Sequence, residues 1–471
     1  MLSKVLIKNP LLCVPMRGDT PTAALDSIWR GGHIFIEGEK ISSAGPEVRD
    51  ISADLVIDAS RMIVLPGLVN THHHFFQTLT RNILATQAAP LFDWLTINYE
   101  IWRGIDGGAI VCSTETAVAD LLKSGCTTTT DHLYLFPEGA DPLLLDYEIE
   151  AAKAMGIRFQ PTRGSMSLGK STGGLPPNDV VQSEDAIIAD VKRLVRKYHS
   201  AAPGAMVKLA LAPCSPFSVT EKLMRLTVEL AEEYQLQIHT HLAETLDEEE
   251  FCLQKFGLRP FDYLHKLGWI RKNAWFAHAI HLNAREIEQL GQAQCGIAHC
   301  PTSNMRLGSG IAPIKELLTA GARVSLAVDG SASNDSSNLL AELRNALLLS
   351  RLREKSKWLN VAEIIWMATR GGAAVLGRDD IGEITPGKWA DLILIDLDRI
   401  EYAGAQHDPL AALIFNVALQ PVDYVIVNGK IVVAKGRLMS SDEAGIIRRQ
   451  QEMSDRLVQR AEKQLGIRLR R

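Results

Sequence analysis

Four short clusters of acid and imidazole side chains stand at the ends of apolar runs. They are Thr71-His72-His73-His74, His241-Leu242-Ala243-Glu244, Ala277-His278 and Val328-Asp329-Gly330. Three histidines and one aspartate can hold one divalent metal ion and leave a position open for water. A glutamate and a further histidine beside such an ion move protons to and from the groups it polarises. The residue types therefore predict a metal-activated hydrolase, with Glu244 and His278 as its proton carriers.

His72 and His74 lie two apart at a strand end and face the same side, so His73 points away and is expected to be structural or to support the ligands. A lone buried histidine is usually a satisfied core residue, but two on one strand face after Pro66-Gly67 make ligation as good a reading. His239 and His241 also share a face. His241 is nearer the strand's mouth and is the expected ligand, with His239 packed in the interior. Glu244 follows where the chain leaves the strand and can curl back over an ion. Its alternative is a solvated glutamate at a helix N-terminus, since Asp247 to Glu250 continue an acidic run. Asp329 ends the apolar run Val324 to Val328, where an unpaired buried carboxylate is costly and a metal would partner it. Its alternative is a helix N-cap, a role open to Asn334 or Asp335 as well. His132, His281 and His299 are expected to be structural or to line the pocket.

Such clusters need a scaffold that gathers distant strand ends. Apolar strands are predicted over Met62 to Val69, Ile157 to Phe159, Lys208 to Ala212, Gln237 to His241, Ala274 to Ala277, Gly296 to His299 and Arg323 to Val328. Amphipathic helical stretches separate them, clearest over Ser113 to Ser124, Ser183 to Tyr198, Thr220 to Tyr234 and Ala341 to Arg351. Strand–helix alternation over about 300 residues predicts a parallel α/β fold. Ligands on the C-terminal ends of several strands fit a closed (β/α)8 TIM-type barrel better than a doubly wound sheet, which collects ligands near one switch point. Short β-strands at both chain ends (Ser3 to Ile7, His33 to Glu37, Leu55 to Ile57, then Ala390 to Asp396, Tyr424 to Asn428 and Lys430 to Ala434, with a tight turn at Asn428-Gly429) are expected to meet as one small β-sandwich. The predicted division is 1–66 plus 378–440 for that domain, 67–377 for the barrel and 441–471 for a peripheral C-terminal helix.

Of 471 residues, 46% are hydrophobic and 22% charged, enough for a large core. A net charge of −5 lacks the basic footprint of a nucleic-acid or anionic-membrane binder, so a small-molecule substrate is expected. The N-terminal apolar stretch is broken by Lys4, Lys8 and Pro10 and does not read as a signal peptide, and no apolar run reaches the ~20 residues of a membrane span. Seven scattered cysteines without a CxxC pair point to a reduced, cytoplasmic protein.

The order HxH, HxxE, H, D resembles the amidohydrolase superfamily, in the branch of aminohydrolases acting on purines, pterins and triazines. Val64-Leu65-Pro66-Gly67-Leu68-Val69-Asn70-Thr71-His72 is similar to that branch's opening motif. His299-Cys300-Pro301, Ser303-Asn304 and Asp329-Gly330-Ser331-Ala332-Ser333-Asn334-Asp335 resemble its later ones, and Ile381-Gly382-Glu383, Pro386-Gly387-Lys388 and Ala390-Asp391-Leu392 its return into the β-domain. The resemblance implies one divalent ion per subunit, zinc with iron as alternative, on His72, His74, His241 and Asp329. It implies that Asp329 takes a proton from the attacking water, Glu244 protonates a ring nitrogen, and His278 stabilises the tetrahedral intermediate. It further implies deamination of an oxidised purine, 8-oxoguanine ahead of guanine or isoxanthopterin, with triazine aminohydrolysis as the alternative, and a homo-oligomer of two or more chains. A catalytically silent ligand-binding scaffold is disfavoured, because ligation alone does not require Glu244 and His278. Five residues are expected at the substrate. Gln77 resembles the glutamine that reads an amide edge, and Arg163 would face a carbonyl oxygen unless it forms a surface ion pair. Cys214 would line the mouth, with simple packing as its alternative. Trp94 and Tyr134 would form stacking walls, with a core role as theirs.

Overall fold

A computed structural model describes residues 4–416 and 420–471; Ser3, expected to open the first strand, lies outside them. The central sheet has eight parallel strands in sequence order: β1 (Leu68–Asn70), β2 (Cys126–Leu133), β3 (Arg158–Ser165), β4 (Ala210–Pro213), β5 (Gln237–Leu242), β6 (Ala274–His278), β7 (Gly296–His299) and β8 (Arg323–Leu326). Side chains rather than a backbone ladder close the seam between β8 and β1. Asn70 Oδ1 accepts from the Val328 amide at 3.0 Å, and the Thr71 and Ser325 hydroxyls meet at 2.6 Å. Just beyond β8 the Asp329 amide donates to the His72 carbonyl at 3.1 Å. The result is the expected (β/α)8 barrel, nearly closed, with helices outside such as Glu184–Tyr198 and Glu221–Tyr234, whose caps Ser183 and Thr220 accept from the first-turn amides.

Two departures from the sequence pattern bear on the site. The apolar run Met62 to Val69 is not one strand. Met62–Pro66 pairs antiparallel with Leu392–Asp396 in the β-domain, and β1 begins only at Leu68. Gly67 between them passes so close to β2 that a Cβ there would lie 2.0 Å from Thr127 Oγ1. The run of threonines in β2 carries no apolar signal, yet all eight of its residues are buried. Its threonines are β-branched and suit a pleated strand, and Thr130 Oγ1 donates to the Gln160 carbonyl at 2.7 Å.

Both chain ends contribute to the second unit. A six-stranded sheet joins Leu12–Cys13 and Met62–Pro66 to strands from Leu392–Asp396 onward, and a four-stranded sheet uses Lys4–Lys8, His33–Glu37, Lys40–Gly45 and Leu55–Asp58. Val5, Ile7 and Ile36 of one sheet share a buried cluster with Val64, Leu392 and Ile426 of the other. Asn428 and Gly429 turn the hairpin at φ 52° and 75°. The helix Glu443–Leu465 buries Ile446, Leu457 and Val458 and is tied to the barrel's outer layer, where Ser454 Oγ donates to the Leu79 carbonyl at 2.7 Å. Among the described residues, no helix is long and apolar enough to cross a membrane. All seven cysteines are buried and unpaired.

A buried ion pair joins the two units. Arg158 of β3 donates to both carboxylate oxygens of Asp391, at 2.7 and 3.0 Å, and Asp391 Oδ1 also accepts the Asn428 amide at 2.7 Å. Removing one partner leaves an uncompensated buried charge. Asp391→Ala is expected to cost about 3–5 kcal/mol in chemical denaturation. A loss below about 1 kcal/mol, the worth of an exposed pair, would refute this role for the pair.

Candidate metal centre and active site

The four clusters meet above the C-terminal ends of the barrel strands. Asp329 Oδ1 stands 3.2 Å from His72 Nε2 and 3.4 Å from His74 Nε2, and His74 Nε2 stands 3.3 Å from His241 Nε2. These separations match the edges of a tetrahedron of donors, about 3.4 Å for bonds of about 2.1 Å.

Hydrogen bonds fix which nitrogen each ring offers. His74 Nδ1 donates to the His132 carbonyl at 2.9 Å and His241 Nδ1 to the Cys214 carbonyl at 2.6 Å. His239 Nδ1 donates to the Trp275 carbonyl at 2.9 Å, so its Nε2 accepts from His72 Nδ1 at 2.8 Å. Each of His72, His74 and His241 is therefore left with a bare Nε2 lone pair, and the contact between His74 and His241 joins two acceptors rather than a donor and an acceptor. His72 Nε2 is buried without a hydrogen-bond partner. Burial holds His241 down to about 3, which keeps its ring neutral. Neutral imidazoles and one carboxylate converging in this way fit a divalent cation of the zinc type, with their outer nitrogens anchored as ligating histidines usually are. His73 turns away: its Nδ1 accepts the His74 amide at 2.7 Å and its Nε2 donates to Ser337 Oγ at 2.9 Å.

Backbone turns aim the remaining groups. Ala243, His278, Ala279 and Asp329 have φ of 51°, 71°, 49° and 64°, a left-handed conformation uncommon outside glycine. All four stand at or just beyond the ends of β5, β6 and β8, where they fold the chain over the mouth, and such strain gathers at functional sites. Both oxygens of the buried Glu248 carboxylate accept backbone amides, from Ala243 at 3.0 Å and Glu244 at 2.8 Å. Glu244 is thus buried rather than solvated, and Thr245 caps the following helix instead. Its Oε2 lies 3.6 Å from His278 Nε2, which is 3.9 Å from Asp329 Oδ2. Burial pushes the Glu244 carboxyl up to about 7. Burial works against a charge on His278, but the carboxylates of Glu244 and Asp329 outweigh it and raise its pKa. His278 Nδ1 is held by Asn304 Oδ1 at 2.9 Å. Asp329 does not cap a helix: its Oδ2 accepts from Ser303 Oγ at 2.5 Å and Ser333 Oγ at 3.3 Å.

Above this floor the pocket has apolar walls from Leu91, Trp94, Leu95 and Tyr99 of the helix Leu91–Trp102, and from Phe217 and Leu307. Gln77, Tyr134 and Cys214 line it as well, and the open space is about 30 Å³, roughly one water's share. Burial pushes the Cys214 thiol up to about 12, so it is a neutral wall. Gln77 Oε1 is buried without a hydrogen-bond partner and abuts Gly330, where a Cβ would come 1.8 Å from it. Arg163 is a correction. It does not line the pocket: its Nε donates to Asp190 at 2.6 Å, its Nη2 to Gln182 at 2.7 Å, and it lies 3.8 Å over the Phe136 ring. Its strand Arg158–Ser165 is fully buried, and the side chain leaves the barrel for the helix layer that carries Asp190. His281 and His299 also stay out of the pocket. The sequence reading missed Glu248, Ser303 and Asn304 as supports and, apart from Trp94, the helix Leu91–Trp102 as a wall. Glu248 was hidden in an acidic run, while the apolar spacing Leu91, Trp94, Leu95, Tyr99 was a visible signal.

The amidohydrolase family model matches residues 63–432. The chain belongs to the amidohydrolase family. An 8-oxoguanine deaminase from Pseudomonas aeruginosa is 47% identical over 97% of this chain and all (100%) of its own length. A hydroxydechloroatrazine ethylaminohydrolase from Pseudomonas sp. (strain ADP) is 34% identical over 90% of each chain. The crystal structure of the atrazine chlorohydrolase from Arthrobacter aurescens TC1 complexed with zinc has a TM-score of 0.88 at 34% identity, covering 96% of this chain and 100% of that one.

His239 is hydrogen-bonded through Nε2 to His72, one of these candidate ligands. In an amidohydrolase centre of this build, His239→Asn is expected to weaken zinc binding about 10- to 100-fold, read by competition with a chelating dye. Unchanged affinity would show that the His72 ring needs no such partner.

Proposed function

We propose that this amidohydrolase deaminates an oxidised purine, converting 8-oxoguanine and water to urate and ammonia. The observation that carries the reading is the grouping of Glu244, His278 and Asp329 on one side of three imidazoles, beneath a narrow apolar slot. The relative at 47% identity supports the choice of ring. The unpartnered Gln77 Oε1 suits a ring N–H on the amide edge.

His72, His74, His241 and Asp329 would hold one zinc ion per subunit, with iron as the alternative. A divalent ion so held would supply a water acidic enough to attack at neutral pH. Asp329 Oδ2, held by Ser303 and Ser333, takes the proton of that water. Glu244, protonated through burial, gives its proton to the ring nitrogen beside the carbon under attack, which makes an aromatic amidine electron-poor enough to react. His278 hydrogen-bonds the oxygen that develops charge in the tetrahedral intermediate. Asp329 then passes its proton to the leaving amine, the C–N bond breaks and ammonia departs.

The division at 1–66 plus 378–440, 67–377 and 441–471, an assembly of two or more chains, and a cytoplasmic setting belong to the same proposal. A second reading, hydrolysis of an alkylamino-triazine, is favoured by the relative at 34% identity. A panel of 8-oxoguanine, guanine, isoxanthopterin and hydroxyatrazine, read by ammonia, alkylamine and urate formation, is expected to give turnover of 8-oxoguanine first. Efficient turnover of another ring with none of 8-oxoguanine would overturn the choice.

Glu244→Gln is expected to keep its zinc and lose about 10²–10⁴-fold in turnover, the worth of a general acid. Full activity in that variant would reject the role. Because Glu244 acts in its protonated form and its carboxyl is raised to about 7, activity should hold on the acid side of that value and fall as pH rises through it. A profile still rising well above pH 7 would contradict the assignment.

A further inference from the structure

The helix Glu443–Leu465 and the tail behind it grip the segment from Thr78 to Ile101, which follows His74 and carries the pocket wall. Gln450 Nε2 donates to Thr78 Oγ1 at 3.1 Å and Ser454 Oγ to the Leu79 carbonyl at 2.7 Å. The tail folds back on its own helix, where Glu462 Oε1 accepts the Leu469 amide at 2.9 Å. The buried Leu469 then accepts the Leu84 amide on its carbonyl at 2.9 Å, just ahead of the wall helix Leu91–Trp102.

Arg460 takes the other end of that wall helix. Its Nη2 donates to the carbonyls of Glu100 and Ile101, both at 3.1 Å. These carbonyls stand in the last turn, where a helix runs short of amide partners and its dipole favours a cation. Gly104 makes the approach possible, since a Cβ there would lie 2.2 Å from Arg460 Cζ. Its φ is not left-handed, so the missing side chain answers to this neighbour rather than to a backbone turn. The inner face of the same helix puts Leu91, Trp94, Leu95 and Tyr99 into the pocket.

We infer that Arg460 is a positioning residue for substrate binding, which caps the wall helix from outside and so holds Trp94, Leu95 and Tyr99 against the bound ring. This rests on the pocket's role under the proposed function. A wall held in place before the ring arrives spares the cost of ordering it on binding. The interaction is made with bound substrate and transition state alike, so its loss falls on KM rather than kcat. Arg103 in the next residue after the helix pairs with Glu100 at 2.7 Å and Asp179 at 2.6 Å, which leaves the helix one anchor when Arg460 is lost.

Arg460→Ala, in the full zinc-loaded chain, is expected to raise KM for 8-oxoguanine about tenfold with kcat within about twofold, the worth of a charge-assisted hydrogen bond. Arg460→Lys should restore part of that loss. Gly104→Ala should reproduce it, because the added methyl displaces the guanidinium while leaving Arg460 in the chain. In Arg460→Ala and Gly104→Ala the amides of residues 91–102 should exchange hydrogen about tenfold faster, with those of the helix Glu184–Tyr198 unchanged and zinc content unchanged. An unaltered KM, or unaltered exchange in the wall helix, would overturn the proposal. Should Arg460→Ala fail to fold, Gly104→Ala decides it. If the unaltered protein turns over another ring of the panel instead of 8-oxoguanine, the choice of ring fails, and the same KM comparison on that ring still judges Arg460.

Discussion

An imidazole buried in a barrel must find a partner for each ring nitrogen, because a polar group taken from water without a hydrogen bond costs free energy. In this protein the partners are arranged so that the outer nitrogens are satisfied by the fold and the inner ones are not. The carbonyls of His132, Cys214 and Trp275 take the outer N–H groups of His74, His241 and His239, and His239 then takes that of His72. The tautomers follow from backbone carbonyls that the strands hold in place. The inner lone pairs are thereby set before any ion arrives, and the fold carries the cost of bringing them together.

The barrel has to close for that arrangement to exist. His72 and Asp329 sit on the first and last strands' extensions, so the distance between them depends on the β1–β8 seam. That seam is held by Asn70, Thr71, Ser325 and the amides of Val328 and Asp329 rather than by a ladder. The residues just before Asp329 and His72 therefore help to set the spacing of the two. The β-domain braces the same place, since the strand Met62–Pro66 runs into β1 through the close approach at Gly67.

Proton transfer asks for carboxylates in two different states within one small space. Asp329 is surrounded by imidazoles and hydroxyls that favour its charge. Glu244 is buried against His278 with fewer donors, and its carboxyl rises to about 7. Left-handed backbone at Ala243, His278 and Asp329 makes this possible by turning side chains over the mouth that a plain strand would send along the barrel wall. Glu248 meets the need created at the first of these turns by accepting two amides that no strand pairs.

Much of this was legible from the chain alone. Residue type and two-residue spacing marked His72 with His74 and His241, and apolar runs marked the strands that carry them, because chemistry at strand ends leaves a local pattern. Motif likeness assigned Glu244, His278 and Asp329 the roles proposed for them above. What lacked a local signature was decided only in three dimensions. The threonine strand β2 is held by burial and hydroxyl bonds that hydropathy does not register. Arg163 sits on the right strand, yet its partner Asp190 comes from another element and draws it out of the pocket. The split of Met62 to Val69 between two sheets falls at Gly67, which passes close to Thr127, far along the chain. The sequence by itself determined which imidazoles and carboxyls stand at the strand ends. The tertiary structure decided which nitrogen each ring presents and which carboxyl is pushed up, because both depend on carbonyls, amides and burial supplied by distant segments.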